Sequence, residues 1–163
     1  MSAVISTCGL YRYSLMRHWP KTDDALCDKQ LLLWVMLNPS TADSTTDDKT
    51  IRRCIGYSKA WGYCGLLVAN LYAFRATSPL EMFDAKDPVG PENNRWIDLL
   101  AKQAEHIVAA WGGAGNSYHR ERVLRRLMDF GTVYCLGTTV DGSPKHPLYL
   151  PKNLTPKIYR SAK

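Results

Sequence analysis

The stretch LLLWVML at residues 31–37 is an uninterrupted apolar run that stops abruptly at Asn38-Pro39-Ser40. A short apolar run that ends in a turn is typical of a strand buried on both faces, as in a parallel sheet. GLLVANLYAF at 65–74, HIVAAWG at 106–112 and TVYCLG at 132–137 have the same character. Segments with helical spacing separate these four runs. The alternation predicts an α/β domain of three α/β/α layers around a four-stranded parallel sheet.

The segments between the strands carry sequence signals of helices, whereas the N-terminal and C-terminal segments do not. Asp47 or Asp48 is placed to cap a helix, and Ser78-Pro79-Leu80-Glu81 combines a capping box with proline at the first helical position. YRYSLMRHW at 11–19 alternates enough to predict an added N-terminal edge strand. The tail from Thr138 is rich in turn residues. The expected helices cover about 49–61, a segment from 79, about 91–105, and a segment from Asn116 or Ser117 to Gly131.

Composition limits the class of protein. The chain has 163 residues, of which 45% are apolar and 22% charged, which predicts one globular domain over residues 1–163. Neither a signal peptide nor an apolar run long enough to span a membrane is evident, and the five cysteines show no metal-ligand spacing. We therefore expect a cytoplasmic protein with no metal, no membrane contact and no obligate protein partner. The excess of 21 Lys+Arg over 15 Asp+Glu favours an acidic partner such as nucleic acid.

Polar segments follow each of the four predicted strands, at 38–43, 70–75, 111–113 and 138–150. Ligands of parallel sheets bind beyond the carboxyl ends of the strands, so these segments are expected to form the site. The chain has no nucleophile elbow, phosphate-binding glycine loop, dinucleotide fingerprint or H-E-x-x-H motif. No cofactor is expected.

Several motifs together resemble a bacterial and phage family described only as domain of unknown function 1643. The resemblance covers nearly the whole chain and implies no activity. It is carried by LLWVMLNPSTAD (32–43), DDKTIRRC (47–54), WGY (61–63), NLYAFRAT (70–77), DPVG (87–90), WG (111–112), LG (136–137) and DGSPKHPLYL (141–150).

The order of three motifs is similar, more distantly, to the uracil-DNA glycosylase superfamily. VMLNPS at 35–40 resembles the first motif of its mismatch-specific branch, with Met36 and Ser40 where that motif has glycines. NLYAFR at 70–75 and His146-Pro147 resemble the second and last motifs, with Leu148 where the last has serine. The resemblance implies that Asn38 positions the attacking water, that Asn70 reads the pyrimidine edge, and that His146 donates a hydrogen bond to the base O2.

On this basis we expect a DNA glycosylase that flips a pyrimidine out of single- or double-stranded DNA and leaves an abasic site. Uracil and hypermodified bases such as glucosylated hydroxymethylcytosine are both candidate substrates, in DNA repair or phage defence. Asp43 is an alternative to Asn38 for orienting the water. The base is expected to contact Asn70, Tyr72, Phe74, Pro39 and Ser40, with Trp34 a further stacking candidate. The phosphates are expected to meet Lys49, Arg52, Arg53, Arg75, Lys145 and Tyr149, with Lys152 and Lys157 extending the basic track.

Structural interpretations of the same residues stay open at this point. Asn38-Pro39-Ser40 is also a common turn, Asp47-Asp48 a common helix cap, and Asn70 a possible structural amide in a strand. Two other functions remain. The chain is alternatively a catalytically silent nucleic-acid-binding protein with the same fold, or a nucleoside or nucleotide hydrolase.

Overall fold

The computed structural model describes residues 1–19, 30–115 and 117–162, which form a mixed α/β fold with one sheet. Asp48 caps the first long helix and Ser78 the short second one, as the sequence predicts. The position of Asn116, a predicted helix start, lies outside the described residues. The strands are β1 (Ser2–Ile5), β2 (Arg12–His18), β3 (Leu31–Met36), β4 (Gly65–Asn70), β5 (His106–Ala109), β6 (Val133–Cys135) and β7 (Lys157–Arg160), and the helices are α1 (Lys49–Ala60), α2 (Pro79–Phe83), α3 (Asn93–Gln103) and α4 (Ser117–Met128).

Within the described ranges the sheet has seven strands in the order β1-β2-β4-β3-β5-β6-β7, so the expected four-stranded parallel sheet is wrong as a description of the whole. The three pairings among β4, β3, β5 and β6 are parallel. The pairings β1–β2, β2–β4 and β6–β7 are antiparallel. The sheet is therefore mixed, with parallel strands at its centre and antiparallel strands on both sides.

The predicted N-terminal edge strand is not at the edge. Residues 12–18 form β2, which lies between β4 and the outermost strand β1. The sequence also gave no sign of β7 at the other edge. Both outer strands are short and largely exposed, and they lack the apolar runs that mark the inner strands.

Two apolar clusters fill the two sides of the sheet. Alternate residues of β3 contact α1 on one side, while the residues between them contact α3 and α4 on the other. Trp34 lies in the α1 cluster, where its indole N–H donates to Ser58 Oγ at 3.0 Å and its ring stacks on Trp61. Trp34 is thus a core residue and does not reach a ligand, contrary to its interpretation as a stacking candidate.

The order of the parallel strands reverses at β3. The chain passes from β3 to β4 on one side, and then crosses to β5 on the other side of β3. The loops after β3 and β5 therefore leave the sheet in opposite directions and open a crevice between them, which is where α/β sheets bind ligands. Because β2 is antiparallel to β4, the start of β2 lies at this same edge. No helix among the described residues is long and apolar enough to cross a membrane.

Candidate functional site

A cavity of about 360 Å³ opens at the carboxyl ends of β3 and β5. Its volume falls within the usual range of small-molecule sites. Three of the residues singled out from the sequence, Asn38, Ser40 and His146, line it together. The remaining polar and aromatic lining comes from Arg12, Asp48, Thr50, Thr77 and Trp111.

The side chain of Asn38 has a fixed orientation. Its amide nitrogen donates to the carbonyl of Ala76 at 2.8 Å and to that of Pro39 at 3.2 Å. Both amide protons are thereby directed at the backbone, and no described residue donates to Oδ1. The carboxamide oxygen is left as an acceptor on the cavity wall, which is the group needed to orient a water molecule.

His146 presents a single donor. Its Nδ1 accepts a hydrogen bond from the Leu148 N–H at 3.4 Å, so the neutral ring carries its proton on Nε2. Burial lowers the pKa of His146, and the carboxylate of Asp48 partly opposes that shift. The ring is therefore neutral at pH 7, with an N–H available to an acceptor in the cavity.

Asp48 has two roles, of which the sequence indicated one. Its Oδ1 accepts from the Ile51 N–H at 2.8 Å and so caps α1. Asp48 also lines the cavity, where burial lowers the pKa of both His146 and Arg12 and the charge of Asp48 partly opposes that lowering. The helix that Asp48 caps begins at the carboxyl ends of the strands. That position could have identified Asp48 as a cavity residue from the sequence.

Sequence reasoning missed Arg12, although it is the most deeply buried charge of the cavity, with 2% of its surface exposed. Arg12 is the first residue of β2, and the pairing with β1 shifts register between Val4 and Ile5, opposite Arg12 and Ser14. The extra residue is Tyr13, which makes a bulge. Arg12 consequently faces the same side of the sheet as Leu15, toward α1 and the cavity. In a strand without the bulge, residues 12 and 15 would face opposite sides.

Asp43 does not line the cavity. Its Oδ1 accepts from the backbone N–H groups of Thr45 at 2.9 Å and Thr46 at 2.8 Å, and from the Thr45 hydroxyl. These hydrogen bonds lower the pKa of Asp43. The carboxylate is thus the centre of a turn that leads toward α1.

The predicted base-contacting residues other than Ser40 also lie outside the cavity lining. Tyr72 packs in the cluster on the α3 and α4 side, with its ring centroid 4.8 Å from that of His119. Phe74 packs edge-on against Tyr11. Pro39 is buried, and its carbonyl accepts from Asn38 and from the Ala76 N–H. β4 ends at Asn70. Beyond that residue the side chains no longer alternate as they do in a strand, so the rings of Tyr72 and Phe74 are not directed at the crevice.

Trp111 is an aromatic residue of the cavity lining. It follows β5 and is buried, with its ring edge-on to Tyr159. The next residue, Gly112, has φ of 74° and donates its N–H to the carbonyl of Pro144 at 2.8 Å. That backbone conformation favours glycine, and it ties the loop after β5 to the segment that carries His146.

A basic surface runs along α1 beside the cavity. It surrounds an open depression lined by Lys49, Arg52, Arg53, Tyr57 and Lys152. Arg53 is held over the Tyr57 ring at 5.3 Å and donates to the carbonyl of Pro147, while Lys49, Arg52 and Lys152 are exposed. We call Lys49, Arg52 and Lys152 the α1 basic face.

The other predicted phosphate contacts are dispersed. Lys145 and Tyr149 are exposed on either side of His146 in its loop. Arg75 donates to the carbonyl of Gly9 at 3.1 Å, away from the α1 basic face. Lys157 is exposed on the edge strand β7.

The chain belongs to a family described as protein of unknown function (DUF1643), which it matches over residues 12–148. The match begins at Arg12 and ends two residues after His146, so it includes every polar residue of the cavity. No curated protein and no solved structure gives a significant match. The similarity to the uracil-DNA glycosylase superfamily gains no support from these comparisons and stays a prediction from motifs.

Proposed function

We propose that this protein hydrolyses the N-glycosidic bond of a damaged or modified pyrimidine in DNA and leaves an abasic site. The observation that carries the proposal is that Asn38, Asp48 and His146 line one cavity beside the α1 basic face. An acceptor for water, a carboxylate and a neutral N–H donor are the groups that this reaction requires.

The transition state of N-glycosidic hydrolysis resembles an oxocarbenium ion, with negative charge developing on the departing base. Asn38 Oδ1 accepts a hydrogen bond from the water whose oxygen bonds to the anomeric carbon. The C–N bond breaks, the base leaves with its electron pair, and the proton of the water passes to Asp48. The charge of Asp48 also stabilises the positive sugar.

His146 acts on the leaving group. Its Nε2–H donates to the base oxygen on which charge develops, and a preorganised donor of this kind stabilises the transition state more than the ground state. Outside the cavity, the α1 basic face neutralises the phosphates that flank the extruded nucleotide.

An abasic-site assay tests the proposal. The protein is incubated with single- and double-stranded DNA containing uracil, hydroxymethylcytosine or its glucosylated form, and the DNA is then treated with hot alkali. Strand breaks at one base are the expected result. No breaks but salt-sensitive binding would indicate a silent binding protein, and turnover of free nucleosides without breaks would indicate a nucleoside or nucleotide hydrolase.

Two substitutions test the site with the same assay. His146→Asn keeps an acceptor near the Leu148 N–H and removes the Nε2 donor, so it is expected to reduce excision by about 100-fold or more. Asn38→Ala removes the acceptor for water and is expected to act in the same direction. Arg125→Gln, on the exposed face of α4 across the sheet, is the control. Full excision by both site variants would contradict the assignment.

A further inference from the structure

Arg12 and Arg17 are two buried arginines of the same strand with opposite surroundings. Arg17 is 3% exposed, and its guanidinium donates to Asp47 at 2.7 Å and to the carbonyls of Asp43, Thr46 and others. Arg12 is 2% exposed, and its one hydrogen bond among the described residues is from Nη1 to the carbonyl of Ala42 at 2.7 Å. Arg17 is therefore satisfied by the protein, whereas Arg12 is not.

The unsatisfied atoms of Arg12 point to a ligand. Among the described residues, the enclosed Nε has no partner and no carboxylate forms an ion pair with the guanidinium. Nη2 has no hydrogen bond to these residues either, and Arg12 lines the cavity. A buried cation with free donors is strongly unfavourable unless an anion joins it.

A second buried group beside the cavity is also unpaired. Asn70 is 1% exposed, and neither its amide nitrogen nor its amide oxygen has a partner among the described residues. Asn70 is the last residue of β4 and pairs with Met36 of β3, which lines the cavity. Strand alternation places both side chains on the α1 side of the sheet. Two buried polar side chains without a full set of partners among the described residues thus lie on the α1 side of the sheet, one in the cavity lining and the other paired with a strand residue of that lining.

We infer that the cavity binds an oxyanion of the ligand, a carboxylate or a phosphate monoester, on the buried guanidinium of Arg12. The planar fork of arginine suits both groups. This inference rests on the proposed function for its substrate class. If the base enters first, the oxyanion is an acidic substituent of the pyrimidine; if the sugar enters first, it is the phosphate of a free mononucleotide.

Calorimetric binding measurements with two pairs of probes separate these sources. One pair is 5-carboxy-2′-deoxycytidine and 5-methyl-2′-deoxycytidine, and the other is 2′-deoxycytidine 5′-monophosphate and 2′-deoxycytidine. We expect one acidic probe to bind at least about 10-fold more tightly than its neutral partner, since a charge-assisted hydrogen bond is roughly twice as strong as one between neutral groups. The pair that shows the difference identifies the source.

Matched variants assign the binding to Arg12. Arg12→Gln is expected to abolish the preference for the acidic probe, while Arg125→Gln on the exposed face of α4 is expected to keep it. A preference that persists in Arg12→Gln, or that is lost equally in Arg125→Gln, overturns the inference. So does the absence of any preference in the wild-type protein.

A measurement on the wild-type protein avoids dependence on the folding of a variant. The enclosed Nε–H of Arg12 is protected from solvent and is observable by ¹H–¹⁵N NMR. It is expected to shift with the acidic probe of the preferred pair and not with its neutral partner, and an unmoved signal contradicts the inference. These are binding measurements, so a failure of the strand-break assay refutes the glycosylase proposal without deciding this one.

Discussion

The contrast between the two buried arginines predicts opposite effects on stability. Burial, partly opposed by the charge of Asp48, lowers the pKa of Arg12 to about 10, so its surroundings disfavour the charged form by a net of roughly 3 kcal/mol relative to water. Arg12→Met removes that charge and one hydrogen bond to Ala42 worth about 1 kcal/mol, so we expect the free energy of unfolding to stay the same or rise by up to about 2 kcal/mol. Arg17→Met leaves Asp47 unpaired and is expected to lower it by about 3 kcal/mol or more. Urea denaturation measures both values, and a large loss of stability in Arg12→Met would show that its charge is satisfied within the protein.

The lowered pKa of His146 gives its contribution to stability a definite pH dependence. The folded pKa lies below the ordinary value of about 6.5. As the pH falls from that value toward the folded pKa, the unfolded chain binds a proton that the folded protein does not, so acidification favours unfolding. The stability of the wild-type protein is therefore expected to fall more between pH 7.5 and pH 5 than that of His146→Asn. Equal losses in the two proteins would contradict the burial of a neutral ring.

At the residue level, the sequence predicted the polar groups that follow strands. It did not predict Arg12, whose direction depends on an irregularity in β2. Asn38 and His146 come directly from the rule that ligands meet the ends of parallel strands. Arg12 faces the cavity because of the bulge in β2, which no residue pattern announces. Asp43 and Asp48 are both acidic residues near the same turn, and only the hydrogen bonds of the folded chain separate the turn residue from the cavity residue.

Among the elements, α1 joins the cavity to the basic surface, and its cap allows its structural and electrostatic roles to be tested separately. Asp48→Ala removes the acceptor for the Ile51 N–H and is expected to cost about 1 kcal/mol of stability. Asp48→Asn caps about equally well, so its stability should stay within about 0.5 kcal/mol of the wild-type value.

The same pair of variants predicts a change at His146. Asp48 raises the pKa of that ring, so its neutralisation in Asp48→Asn is expected to lower the pKa further. An NMR titration of the His146 ring in the wild-type protein and in Asp48→Asn measures this directly. An unchanged His146 titration would show that the carboxylate and the imidazole do not interact.

Inner strands and capped helices were predictable because burial on both faces and capping leave local signals. β3 and β4 read as continuous apolar runs, and Asp48 and Ser78 precede helices as expected. β1 and β7 are held by pairing with β2 and β6, and their own side chains are mostly exposed. Such strands depend on partners distant in sequence, so the sequence around them carries little information.

On the scale of the whole molecule, the topology separates the α1 basic face from the exposed arginines of α4. The reversal of strand order at β3 creates the crevice, and α1, which follows β3, carries cations along its outer face. α3 and α4 pack on the opposite side, where the exposed Arg122 and Arg125 lie far from the crevice in the layer order. The net charge of +6 is therefore less informative than its distribution between two sides of one sheet.

This separation predicts how salt affects DNA binding. Each phosphate neutralised on single-stranded DNA contributes about −0.7 to the slope of log K against log salt concentration. If Lys49, Arg52 and Lys152 each contact a phosphate, replacing all three with glutamine is expected to weaken binding and reduce the magnitude of the slope by about 2. The double replacement of Arg122 and Arg125 with glutamine removes two charges, instead of three, on the other side of the sheet. It is expected to leave the slope nearly unchanged, since only released counterions contribute to it. Fluorescence anisotropy over a salt series measures both, and equal effects of the two variants would mean that total charge, and not the α1 basic face, attracts the nucleic acid.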